Sequence, residues 1–169
     1  MLLSLFSGQG CKSTGNYRTE KIDSLAKVLY DCEQQMNIDP EDIRNREKSI
    51  REQMGKVALS YKGGANQELA FMLEDYKNVA DVYDRYLKEH VALAKEHASL
   101  VGQLRSLKKS SDEGMDEADF QKNLGVERED IFELKETTEK YAGAVLHAEP
   151  LYQRIAPKIK ACTDSLKVE

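Results

Sequence analysis

Through the middle of the chain, the positions that can face a core recur in steps of four and three without a miss. They run Met72, Tyr76, Val79, Tyr83, Tyr86, His90, Leu93, His97, Leu100, Leu104 and Leu107. Beside them Leu73, Ala80, Leu87, Ala94 and Val101 form a third row. Two rows make the narrow seam of a two-stranded coiled coil. A third row widens the buried stripe to that of a helix in a bundle. The spacing predicts a long helix over about 66–109, with Tyr76, Tyr83, Tyr86, His90, Leu93, His97, Leu100 and Leu104 in the core or at an interface.

The C-terminal third keeps the same period. Leu124, Ile131, Thr138, Val145, Tyr152, Ile159 and Leu166 fall seven apart, with Leu134, Tyr141, Ala148, Ile155 and Cys162 as a second row. Pro150 and Pro157 interrupt this stretch. A proline inside a helix removes one backbone hydrogen bond and clashes with the preceding turn, at a cost of roughly 3 kcal/mol. The register passes both prolines without a slip, whereas a connecting loop would shift it. They are therefore expected to bend a continuous helix over about 117–166.

In the first third, Ile22, Leu29, Met36, Ile43, Ile50 and Val57 are also seven apart. Two readings stand for the "NIDPED" between them. Preserved phase favours one kinked helix over about 18–61. Asp39 followed by Pro40 reads locally as an N-cap and first helical residue, hence as two helices joined by a tight turn.

The connections "KGGAN" and "SSDEGMD" are short, so neighbouring helices run antiparallel. The expected fold is all-α: an elongated antiparallel bundle of three long, kinked, coiled-coil-like helices occupying 18–169. A wide apolar stripe on so slim a bundle predicts further burial in a homodimer. Residues 1–17 form a separate N-terminal segment. Its "MLLSLF" is too short to span a bilayer and reads as an amphipathic membrane-dipping or partner-docking piece, or as a flexible tail.

Composition narrows the function. A chain of 169 residues is one domain by length. Its net charge of -5 argues against nucleic acid as a partner. Cys11, Cys32 and Cys162 are far apart and form no C-x-x-C pair, which fits a reducing cytoplasmic location, free or peripheral to a membrane. "GCKST" lacks the first glycine and the preceding strand of a phosphate-binding loop.

Candidate chemistry is sparse. His90 and His97 repeat in "KEH" at a seven-residue step, roughly 10.5 Å along a helix, too far to chelate one ion. Neither H-E-x-x-H nor E-x-x-H occurs, and no nucleophile–base pattern is present. No catalytic role, metal or cofactor is expected. Basic residues cluster instead: Arg44, Lys48 and Arg51 share one helix face, Lys62 lies in a connection, Lys108 and Lys109 close the second helix, and Lys158 and Lys160 flank the second proline. If they converge they would attract anionic lipid at about 1 kcal/mol per base.

The stretch "LAFMLEDYKNVADVYDRYLKEHVALAKEHASLVGQLRSLKK" resembles the second helix of sorting-nexin-type BAR domains. The resemblance is one of pattern: an apolar turn, an acid-plus-tyrosine step, then a long polar helix ending in bases. It implies a curved homodimer that binds anionic membrane through Arg44, Lys48, Arg51, Lys62, Lys108, Lys109, Lys158 and Lys160. The rival expectation is a coiled-coil adaptor or tether subunit whose seam another coiled-coil protein completes, with no membrane contact.

Overall fold

The structure is a computed structural model, and it describes residues 13–61 and 66–165. All secondary structure among the described residues is helical. In chain order it comprises α1 (Ser13–Met36), α2 (Pro40–Ser60), α3 (Gln67–Asp112), α4 (Glu117–Thr138), a π-helical turn (Glu139–Gly143) and α5 (Ala144–Ser165). The expected helix starts at 66 and 117 fall within a residue of those observed. Ser13, the start of α1, lies inside the segment set apart as 1–17.

The expected single helix over 18–61 is corrected. Residues 37–39 are not helical, and α2 begins afresh at Pro40. A residue before proline is driven out of the helical region, and Asp39 duly sits at φ -69°, ψ 111°. Its side chain accepts from the Glu41 N–H at 2.9 Å, capping α2. The Tyr86 hydroxyl donates to the Ile38 carbonyl at 3.2 Å, so the interruption is tied to α3. Preserved phase misled because both α1 and α2 pack against one uninterrupted α3. The partner helix imposes the common spacing on both.

The third stretch is helical throughout but not uniformly α. The π turn brings Ala142 and Gly143 into the interior together. Both prolines lie inside α5, as the unbroken register requires. Pro150 and Pro157 are exposed, and so are Leu146 and Gln153 four residues before each. The carbonyls left unpaired therefore face the solvent side, where water can satisfy them.

At 1.5 Å per residue α3 is about 69 Å long, and every other element packs on it. Asn66 caps its start, accepting from the Leu69 N–H at 3.1 Å. Its end turns through Gly114 at φ 98°, a left-handed conformation that glycine adopts freely. Asp116 then caps α4. Arg18 on α1 hydrogen-bonds the Met115 carbonyl and Glu117, so α1 and α4 start at the same end. The helical bundle contains two core clusters. One joins α2, the first half of α3 and α5 around Ile50, Tyr76, Tyr83 and Ile159. The other joins α1, the second half of α3 and α4 around Leu29, Leu93, Leu100 and Ile131.

Candidate interaction surface

The seam residues divide by burial. Tyr76, Tyr83, Tyr86, Leu93, Leu100 and Leu104 are buried, and His90 and His97 are half-buried. Each histidine meets a carbonyl: His90 Nδ1 is 2.9 Å from the Leu87 oxygen, and His97 Nε2 is 3.0 Å from the Leu29 oxygen on α1. Among the described residues no group of three His, Cys, Asp or Glu side chains could hold a metal ion.

The tyrosines also belong to an ion cluster that sequence reasoning missed. Arg46 on α2 pairs with Asp42 at 2.6 Å and with Glu149 on α5, and its guanidinium lies over the Tyr152 ring at 5.2 Å. The Tyr83 hydroxyl donates to Glu149 at 3.3 Å. Burial works against a charged Glu149. Hydrogen bonds from Gln153, Arg46 and Tyr83 outweigh it and hold the carboxyl below the usual range. Burial, with the Glu149 charge, pushes the Tyr83 phenol up. The Tyr76 hydroxyl donates to Gln53 at 3.2 Å, and burial pushes its pKa up to about 12. This cluster fastens α5 to α2 and α3.

Most of the described candidate basic residues are paired with nearby acids. Arg44 pairs with Glu41, Lys48 with Glu52 at 3.9 Å, and Arg51 with Glu47 and, at 4.0 Å, with Asp81. Lys108 stands 3.9 Å from Asp23, Lys109 3.8 Å from Glu113, and Lys160 2.7 Å from Asp164. Lys158 is exposed with no ion-pair partner among the described residues, and Lys62 lies outside them. From Asp81, which Arg51 approaches, α3 runs about 40 Å to Lys108. That distance is several screening lengths at physiological salt.

One open groove is mainly apolar. A groove of about 250 Å³ runs between α1 and α3, floored by Ile22, Leu29 and Leu104 and walled by Ala26, Tyr30 and Val101. Asp23 and Glu33 flank it on α1, and Arg105 and Lys108 on α3. The α3 wall was legible as the third row, through Val101. Ala26 and Tyr30 belong to no row of seven and gave no signal. No described helix is long and apolar enough to cross a membrane.

No protein-family model matches the chain. No curated protein and no solved structure shows significant similarity to it.

Proposed function

We propose that the chain is a non-enzymatic helical scaffold that assembles with protein through its α1/α3 face. The observation that carries this reading is the open apolar groove, lined by two helices and flanked by acids on one side and bases on the other. Grooves of this kind take the apolar face of another helix. The basic residues meanwhile are mostly engaged with neighbouring acids, which lowers their attraction for an anionic surface.

The second reading is the BAR-like one, a curved homodimer of three kinked rods lying on an anionic membrane at its cytoplasmic side. One observation favours it. Leu59 is 88% exposed and Phe71 59% exposed, at the end of the bundle where α2 finishes and α3 begins. The unpaired Lys158 belongs to the same half. An apolar tip with a nearby base is suited to shallow insertion.

Co-sedimentation with anionic and neutral vesicles at low and high salt separates the two. The assembly scaffold stays in the supernatant throughout. Sedimentation with anionic vesicles alone, lost at high salt, would overturn it in favour of the membrane-binding dimer.

A further inference from the structure

We propose that the α1/α3 face is a homodimer interface, on which a second copy lays its own α1/α3 face and closes a four-helix core. This deepens the assembly reading and rests on it. Register, shape, charge and size each favour a second copy.

Register comes from two contacts. Lys108 Nζ is 3.9 Å from Asp23, and His97 Nε2 is 3.0 Å from the Leu29 oxygen. Together they bracket the antiparallel pairing of α1 with α3, setting Asp23 level with Arg105 and Tyr30 level with Ala98. A two-fold axis along the groove, parallel to the helices, shifts nothing along its length. It places α1 of one protomer beside the partner's α3 at unchanged level, so all four helices alternate in direction. Asp23 then meets the partner's Arg105, and Tyr30 meets the partner's Ala98.

Shape agrees with that pairing. Tyr30 is 57% exposed, a large ring without cover. Opposite it the outer line of α3 carries Ala94 and Ala98, four residues apart and both exposed. A projecting ring on α1 thus faces two small residues on the neighbouring α3.

Charge selects a second copy over a foreign helix. The face has acids on its α1 flank and bases on its α3 flank. Its complement must carry the reverse order, and the same face turned about the axis supplies that order. Size suffices as well. α1 is about 36 Å long and paired helices cover roughly 20 Å of width, giving about 700 Å² per protomer. Stable interfaces bury about 600–1,000 Å² per partner.

The test is sedimentation equilibrium of the full chain. The wild type is expected to be a dimer. Asp23→Arg and Arg105→Asp each set like charges across both symmetry-related contacts, so each should raise the dimer dissociation constant about tenfold or more. An equimolar mixture of D23R and R105D chains pairs opposite charges at every contact and should form heterodimers. The double variant should dimerise alone. Rescue in the mixture excludes misfolding, because each chain must then be folded. A wild type that is monomeric, single variants that dimerise normally, or a mixture without heterodimers would each overturn the proposal. The vesicle experiment judges the broader reading separately, whichever way the dimer result falls.

Discussion

Arg46 on α2 and Glu149 on α5 form an ion pair across the bundle, although 103 residues separate them in the chain. Glu149 directly precedes Pro150, so the pair anchors α5 close to the first of its two missing hydrogen bonds. The Tyr83 hydroxyl completes the contact from α3, and one carboxylate ties three helices together.

Glu149→Gln should lower stability by about 1–2 kcal/mol at neutral pH, a figure held down because the carboxyl is about one-third exposed (34%). The wild-type folded state holds this group below the ordinary carboxylate range, so the unfolded state binds its proton first as pH falls. The advantage is full above the unfolded value of about 4.3 and disappears as pH drops through the folded value. Urea titrations of both proteins from neutral pH into the acid limb check this. A difference that persists unchanged into acid would mean that the charge of Glu149 contributes nothing.

Leu93 is buried on α3 in the core shared with α1 and α4. Leu93→Ala should cost about 2–5 kcal/mol by leaving a cavity. Leu93→Asp should prevent folding, since a carboxylate there has no buried partner to pair with. Circular dichroism melts read both effects, and a melt unchanged by the aspartate would refute the register of α3.

Asp39→Ala removes the side-chain acceptor that caps α2 and should cost about 1 kcal/mol. Asp39→Asn, which keeps an acceptor oxygen, should cost little. If the two variants melt alike, the cap is not what starts α2.

How far the sequence carried the fold depends on whether a feature repeats. The α3 core from Tyr76 to Leu107 was legible because a period of seven reports the side that is buried, and those tyrosines and leucines are buried. The interruption between Met36 and Pro40 was not settled, because packing on a continuous α3 gives both flanking helices the same phase. Asp39–Pro40 was the only local signal of it, and it competed with a longer pattern. The π turn left no trace, since Val145 still falls seven after Thr138 across it. Arg46 and Glu149 were invisible for another reason: a single contact between distant residues has no period. The basic residues could be read as charges, and acids three or four residues away could be read with them, but the partners on other helices, Asp81 for Arg51 and Asp23 for Lys108, emerge only from side-chain geometry.

Pro157 is exposed, lies inside α5 and withholds an N–H from the Gln153 carbonyl. Pro157→Ala should restore that hydrogen bond and relieve the ring's clash with the preceding turn. The intrinsic preference for alanine over proline in a helix interior is about 3 kcal/mol. Two effects reduce it here: a carbonyl on the exposed side can bond water instead, and proline restricts the unfolded chain by about 0.4–1 kcal/mol. A net gain of about 1–2 kcal/mol should remain, seen as a higher melting temperature. Ile155 and Ile159 on either side are buried, so the substitution leaves the core contacts of α5 in place. A lower melting temperature would show that the backbone geometry proline imposes at position 157 is what fits α5 to α2 and α3, and that losing it pulls those isoleucines out of register.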